Sequence, residues 1–278
     1  MRLIPALLIL LCVILCTFSC VFAESAEDSE LSLLAINVRK ADALLLRSGE
    51  SAYLIDTGSK DSFDALYSAL KQEGVARLTG VIITHTDKDH AGGFEQLFKS
   101  DIGIEHVYAS AYYNKKKHPA EKVLKKNSME VVFLSSGDSL PLDGGKLTVL
   151  GPLEEDDEKE NNNSLVLLAE GGGGSMLLTG DMEFPEEDSL LKAGLIPHAD
   201  VLKIGNHGEG DATSDALISA VRPSVAVIST NTADEPDTPD PRVLKLLAAW
   251  NIPVLVTQDS DLGILVTIRN GSITTEIK

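Results

Sequence analysis

Short apolar runs separated by polar turns dominate the first part of the chain. Residues 31–38, 43–47 and 51–55 are rich in aliphatic side chains, with Ser48-Gly49-Glu50 between the last two, and this predicts a strand meander. Over residues 62–70 the apolar positions shift to helical spacing. Phe63, Leu66 and Leu70 share one face and Gly74 marks the stop. Residues 80–84 predict a further strand and residues 92–98 a helix. Strands follow near residues 106–108, 129–134, 146–150 and 164–169. The four glycines 171–174 lie between two apolar runs with no helix after them, so they predict a hairpin rather than a phosphate-cradling loop.

The second half keeps this style without repeating the sequence. Strands are expected at residues 175–179, 200–204, 225–229, 254–257 and 263–268, with helices at 186–192, 215–221 and 241–250. Trp250, at the end of an amphipathic stretch with Leu246 and Leu247, is expected in the core. Continuous apolar strands and one-sided helices are buried together when mixed sheets carry helices on their outer faces, an α+β arrangement.

Within this pattern one loop carries concentrated chemistry. The apolar run Val81-Ile82-Ile83 leads into Thr84-His85-Thr86-Asp87-Lys88-Asp89-His90-Ala91-Gly92-Gly93. Two imidazoles and two carboxylates in six residues, following a strand, can direct His85 and Asp87 to one centre and Asp89 and His90 to another. That is the spacing of a loop holding a pair of divalent metals. An ordinary polar turn is the alternative. Asp56, in the strand-end turn Leu54-Ile55-Asp56-Thr57-Gly58, is expected to brace this loop by hydrogen bonds rather than to bind metal. His106, His118 and His198 have no motif around them and are expected at the surface or in packing.

The loop resembles the metal loop of the metallo-β-lactamase superfamily, in the Asp-for-His form of its ComEC-like competence branch. Four further segments fall in the order of that family: residues 54–58, Asn161-Asn162-Asn163-Ser164 with the apolar residues after it, Leu178-Thr179-Gly180-Asp181, and Leu202-Lys203-Ile204-Gly205-Asn206-His207-Gly208. The resemblance covers most of the chain after about Leu33. It implies a four-layer αββα sandwich with two divalent metal ions at one edge between the sheets. His85, Asp87 and Asp181 would hold one ion, and Asp89, His90, His207 and Asp181 the other, Asp181 bridging. Asp89 and Asp181 are the residues assigned to catalysis. Asn161 and Ser164 would complete coordination or contact substrate, and Lys203 would supply electrostatic help or snorkel from a strand edge. The metals would be Zn or Mn, the oxygen-rich first centre favouring the harder Mn²⁺.

Three departures from the family pattern stand out. Asn206-His207-Gly208 replaces the usual His-His-Gly, Arg39-Lys40-Ala41-Asp42 replaces Gly-Gln-Gly-Asp, and Thr238-Pro239 replaces a late His-Pro. Loss of the first imidazole at Asn206 bears on turnover of DNA while leaving the expected metal ligands in place. The function implied is a metal-dependent hydrolase in which a metal-bound hydroxide cleaves phosphodiester bonds, nucleic acid being one such substrate. The alternatives are a hydrolase of another ester or a lactone, and a catalytically quiet metal-containing binding module. The sequence does not indicate protein partners.

Composition decides the compartment expected. Met1-Arg2 precedes an apolar, uncharged run to Ala23, and Glu24-Ser25-Ala26-Glu27-Asp28 follows at once. Residues 1–23 therefore read as an export signal, 24–30 as an acidic linker and 31–278 as one hydrolase domain, secreted or otherwise outside the cytoplasm. The run is also long enough to span a bilayer, roughly 20 residues being needed, so an uncleaved N-terminal anchor is the rival, and the membrane would be met only there. Thr17-Phe18-Ser19-Cys20 is a poor lipoprotein box. All three cysteines, Cys12, Cys16 and Cys20, lie in this segment, which leaves the domain without disulfides or thiolate ligands.

The formal charge is −18, from 24 Lys and Arg against 42 Asp and Glu, which repels polyanions at long range. Lys115, Lys116, Lys117, Lys122, Lys125 and Lys126 run against that trend beside Tyr108, Tyr112 and Tyr113. They form either a solvated face or a phosphate-facing patch.

Overall fold

The fold was analysed in a computed structural model that describes residues 30–113, 123–125 and 129–278. The first 29 residues lie outside it, and so do His118 and every lysine of the 115–126 stretch except Lys125. The strands in chain order are β1 Glu30–Ile36, β2 Leu44–Ser48, β3 Ser51–Ile55, β4 Arg77–Leu78, β5 Gly80–Ile83, β6 Gly103–Ile104, β7 Val107–Ser110, β8 Val131–Leu134, β9 Ser139–Leu142, β10 Gly145–Gly151, β11 Val166–Gly171, β12 Gly174–Leu178, β13 Val201–Lys203, β14 Val225–Ile228, β15 Val254–Val256, β16 Gly263–Arg269 and β17 Ser272–Ile277. The helices are α1 Phe63–Gln72, α2 Lys88–Ala91, α3 Phe94–Lys99, α4 Phe184–Lys192, α5 Asp215–Val221 and α6 Pro241–Ala249. Among the described residues no helix is long and apolar enough to cross a membrane.

Two mixed sheets stack face to face. The first has the order β17-β16-β1-β2-β3-β5-β7-β8, and the second β15-β14-β13-β12-β11-β10-β9. Alternation of side chains across each strand explains the layering. In β1, Leu31, Leu33 and Ala35 join Leu147, Val149, Leu167, Ala169, Met176 and Leu178 of the facing sheet in one core. The other face of β1, through Leu34 and Ile36, packs with Leu66 and Leu70 of α1 and Phe94 and Leu97 of α3. Across the molecule, Val166, Leu177, Leu202 and Ile228 meet Leu190, Leu217, Ile218, Val243 and Leu247 of α4, α5 and α6. Three apolar interfaces thus separate four layers, helix, sheet, sheet, helix, which is the metallo-β-lactamase-like αββα sandwich.

Local chemistry sets most elements as expected from the sequence; strands β9 and β17 were not expected, and two differences bear on side-chain placement. The hairpin at the glycine run forms between β11 and β12, and Gly172 and Gly173 both take positive φ, 61° and 80°. A Cβ on Gly172 would lie 2.2 Å from the carbonyl oxygen of Ile268, so only glycine lets this turn close against the other sheet. Trp250 is the first difference. It is 38% exposed and donates its Nε1–H to Asp215 Oδ1 at 2.9 Å, so it ties α6 to the start of α5 from outside instead of filling the core. The second is the loop after β5, where residues 88–91 turn into the short helix α2 and carry Asp89 and His90 on adjacent positions.

Burial sorts the expected mutational cost. Leu167 is wholly buried between the sheets, so Leu167→Ala should lower stability by about 2–5 kcal/mol, while Val132→Ala, at a residue 48% exposed on β8, should change it by about 0.5 kcal/mol or less. Denaturant unfolding of both variants against the parent checks the assignment of this interface as the principal core.

Candidate metal centre

Strand ends from both sheets meet at one edge of the sandwich. The loop after β5 brings His85, Asp87, Asp89 and His90 from the first sheet. Asp181 follows β12 and His207 follows β13 in the second. Backbone bonds lock the meeting point: Leu165 N–H donates to Thr84 O at 3.1 Å, and Asn206 N–H donates to Gly180 O at 3.2 Å. Close approach depends on glycine at two places. A Cβ on Gly93 would stand 2.3 Å from Thr57 O. Gly180, at φ 52°, lies so near Ser164 that a Cβ would stand 2.9 Å from that residue's own Cβ.

The imidazoles are held from behind. His207 Nδ1 lies 2.9 Å from Ser229 O and His90 Nδ1 lies 2.7 Å from Asp56 Oδ2, while His85 Nδ1 has Thr84 Oγ1 and Ser164 Oγ each at 3.2 Å. Carbonyl and carboxylate oxygens only accept, so His207 and His90 donate from Nδ1, which turns their Nε2 atoms forward. The hydroxyl neighbours of His85 allow the same tautomer. Asp56 accepts two further bonds, from Thr84 N–H at 2.8 Å and Thr84 Oγ1–H at 2.7 Å, which fits a bracing role better than a ligand role. It holds a φ of 61°, and Asn206 and His207 hold 45° and 51°, so the turns on both sides of the site are backbone outliers fixed by their surroundings.

In front, the ligand-type atoms converge. Asp181 Oδ2 lies 3.0 Å from His90 Nε2, 3.4 Å from His207 Nε2 and 3.9 Å from His85 Nε2. Asp89 Oδ2 lies 3.4 Å from His207 Nε2, and Asp87 Oδ2 lies 3.9 Å from His85 Nε2. Asp89, His90, Asp181 and His207 each offer an atom within 4.8 Å of the others. His85 Nε2, His207 Nε2 and Asp181 Oδ1 are buried without a hydrogen-bond partner among the described residues. Orphaned donor-set atoms on a shared centre, with their rear faces already bonded, are what a bound cation satisfies. The residues fit divalent metal. Asp42, Asp56 and His90 form a second close group, but there the Lys203 ammonium already stands 2.9 Å from Asp42 Oδ2 and Asp56 is bonded to Thr84 and His90.

Electrostatics give the same answer. Burial opposes charge on His90, yet Asp181 and Asp56 together hold it protonated well above the usual imidazole range. Burial likewise opposes charge on His207, which Asp181, Asp89 and Asp42 raise to about 9. Burial, with the charge of His90 adding to it, lowers His85 to about 3. The carboxyl of Asp181 resists burial and stays well below its ordinary value because His207 and His90 face it. Two imidazolium protons therefore stand where a cation's charge belongs, and metal binding must displace them.

Two residues around the centre were read differently in the sequence. Lys203 does not snorkel: it is wholly buried, with its Nζ 2.9 Å from Asp42 Oδ2 and donating to Ile204 O at 2.9 Å. Asp42 is the functional residue that sequence reasoning passed over. It lies beneath His207, Oδ1 at 3.9 Å from Nδ1, and the Lys203 ammonium keeps its carboxyl ionised against burial. Its signal was available in the aspartate that closes Arg39-Lys40-Ala41-Asp42. Ser164 sits behind His85 and accepts from Asp181 N–H at 3.1 Å, Asn161 donates to Glu183 Oε1 at 2.9 Å, and Asn206 donates to Asp211 Oδ1 at 3.0 Å. His106 and His198 are exposed and apart from the centre.

A model of the metallo-beta-lactamase superfamily matches residues 36–232. Competence protein ComA of Neisseria gonorrhoeae is 27% identical over 237 residues, which cover 84% of this chain and 32% of that protein. ComE operon protein 3 of Bacillus subtilis is 30% identical over 226 residues, covering 74% and 29% respectively. The chain thus spans about a third of the length of the curated relatives it matches. Among solved structures, CmlA, a diiron beta-hydroxylase from Streptomyces venezuelae, aligns over 91% of this chain and 54% of its own at 14% identity and a TM-score of 0.56. A protein described as a metal-dependent hydrolase from Parabacteroides distasonis aligns over 81% and 93% at 13% identity and a TM-score of 0.52. These two likenesses concern the fold.

Two outcomes follow from the geometry. Asp42→Asn leaves the Lys203 ammonium buried without its partner and should cost about 3–5 kcal/mol, part of which Asp42→Asn/Lys203→Met restores. Equal denaturation midpoints for parent and Asp42→Asn would remove the ion pair from the scaffold. Stripping divalent ions with a chelator should lower the thermal midpoint of the parent, and Asp181→Ala should abolish that sensitivity.

Proposed function

The chain belongs to the metallo-beta-lactamase superfamily and is a metal-dependent hydrolase by that membership, and from this premise we propose that it is an exported phosphodiesterase acting on nucleic acid. The observation that carries the hydrolytic part is the convergence of three Nε2 atoms and the carboxylates of Asp87, Asp89 and Asp181 on one edge. The phosphodiester part is supported by the competence names of the relatives and by one cation at the rim, Lys40. Lys40, a residue in from the surface, bonds Glu209 at 2.9 Å and feels the charges of Asp89 and Asp181. It can stand against a phosphate approaching those carboxylates. The export part rests on the apolar run before Ala23.

In this reading His85, Asp87 and Asp181 hold one divalent ion, and Asp89, His90, His207 and Asp181 a second, with Zn²⁺ and Mn²⁺ as candidates. When bound, such ions lower the pKa of water and stabilise charge developing on a phosphoryl oxygen. The protein's own residues do the rest. Ser229 O, Asp56 and the Thr84 and Ser164 hydroxyls fix the rings in one tautomer. The imidazoles are wholly buried while the Asp87 and Asp89 side chains are 38% and 30% exposed, so substrate meets the centre from the aspartate side. Asp89, facing that side, is kept ionised by His207 and His90 against its burial and so would hold the ion from the open edge. Lys40 offsets the negative charge that accumulates opposite it.

The test is hydrolysis of bis(p-nitrophenyl) phosphate, single-stranded DNA and a lactone by metal-loaded protein with Mn²⁺ or Zn²⁺. Asp181→Ala should lower phosphodiester turnover by about a thousandfold or more at unchanged circular dichroism. Turnover of the lactone alone would replace the phosphodiester reading, an outcome that the net charge of −18 favours. Exchange of Lys115, Lys116 and Lys117 for Gln should flatten the salt dependence of single-stranded DNA affinity by about 0.7 per lost phosphate contact. Equal slopes would retire that stretch as a nucleic-acid surface.

A further inference from the structure

Two cations cross from the first sheet to the second beside the metal centre. Both come from the turn after β1, at Arg39-Lys40-Ala41-Asp42. The turn is seated on the metal loop itself, because Asp42 N–H donates to Asp89 O at 3.1 Å. Arg39 Nε donates at 2.8 Å to Oδ2 of Asp234, on the loop after β14. Lys40 Nζ donates at 2.9 Å to Oε1 of Glu209, two residues beyond His207. Each cation thus meets one acid from the opposite sheet.

Their surroundings differ. The Arg39 side chain is 62% exposed, and the acid acting on its charge is Asp234. The Lys40 side chain is 21% exposed, and burial opposes its charge while Glu209, Asp89 and Asp181 uphold it. Lys40 is therefore within electrostatic reach of two residues of the metal centre, and Arg39 is not. The backbone carrying Glu209 is fixed. Its own N–H donates to Asn206 O at 2.7 Å, and Arg242 just beyond donates from Nε to Gly210 O at 3.1 Å and from Nη1 to Thr213 O at 2.9 Å. The Glu209 side chain, 34% exposed, has solvent to turn into. An ammonium already matched by one carboxylate attracts a second anion weakly, so an anion arriving at the metal edge gains the charge of Lys40 only as Glu209 gives it up.

We propose that Glu209 is a built-in competitor for the anionic group of the substrate: it holds Lys40 in the substrate-free protein, and a phosphate takes the lysine from it on binding at the metal edge. The proposal rests on the reading of the substrate as a phosphate ester and adds to it a residue that sets selectivity by charge. The competition weakens the binding of anions and leaves uncharged esters and lactones untouched.

The test is calorimetric titration of the metal-loaded protein with inorganic phosphate, beside steady-state kinetics on bis(p-nitrophenyl) phosphate. A partly exposed ion pair changes an equilibrium constant by up to about fivefold. At low salt Glu209→Gln should tighten phosphate by about three- to fivefold and lower KM for the diester by the same factor, with kcat within about twofold of the parent. The gain should fade by about 0.5 M NaCl. Lys40→Gln should weaken phosphate by a similar factor, and adding Glu209→Gln to it should then gain nothing. Asp234→Asn, which removes the same charge from the Arg39 pair, should move phosphate affinity by less than about 1.5-fold. Unchanged phosphate affinity in Glu209→Gln would overturn the proposal. So would an equal gain in Asp234→Asn, or a gain that survives in the Lys40→Gln background, since both report net charge rather than competition for Lys40. Phosphate tightened by Glu209→Gln through Lys40, with no diester turnover in any variant, would remove the phosphodiesterase reading and leave this one standing.

Discussion

Burying three carboxylates, Asp42, Asp56 and Asp181, at one edge between the sheets is the constraint around which this molecule is arranged. An ionised carboxylate taken out of water is expensive unless a positive charge or several donors meet it. Each of the three has a different answer. Asp42 takes a buried lysine, Asp56 takes a threonine and an imidazole, and Asp181 faces imidazoles that can give up their protons. The first two solutions are permanent and belong to the scaffold. The third is open to exchange, and the chemistry resides there.

The layers follow from the same demand. Strands β5, β12 and β13 end at the same level because the cores on both faces of each sheet fix their height. Neither sheet brings a complete set of ligand-type groups. The first gives the loop with His85 and His90, the second gives Asp181 and His207, and the bonds from Leu165 and Asn206 pin their relative position. Glycine at 93 and 180 allows backbones to approach where a side chain would wedge them apart.

Much of this was legible in the sequence, for reasons visible in particular residues. Strand β3 and helix α5 match their expected bounds because Tyr53, Leu54 and Ile55 are buried and because Leu217, Ile218 and Val221 share one face. The loop of His85 to His90 announced itself by density of ligand-type side chains. What escaped detection had no pattern to show. Strand β17 carries Thr274, Thr275 and Glu276, exposed and unalternating, and is a strand only because β16 offers it an edge. Strand β9 does alternate, Leu140 and Leu142 inward, but it is only four residues long and Pro141 argues against a strand. The Lys203 ion pair joins positions far apart in sequence, and Trp250 is decided by a single acceptor on another helix. Such facts belong to tertiary contact and leave no periodic trace.

The division of the centre between sheets also governs when it can come into being. Between His85 and His207 lie five of the seven strands of the second sheet and the last two edge strands of the first, so no early folding unit contains the whole site. Contacts of such long sequence separation form late and slowly. The ion is therefore chosen only once both sheets have docked, and whichever divalent ion is abundant where the chain completes its fold is the first to compete for the site.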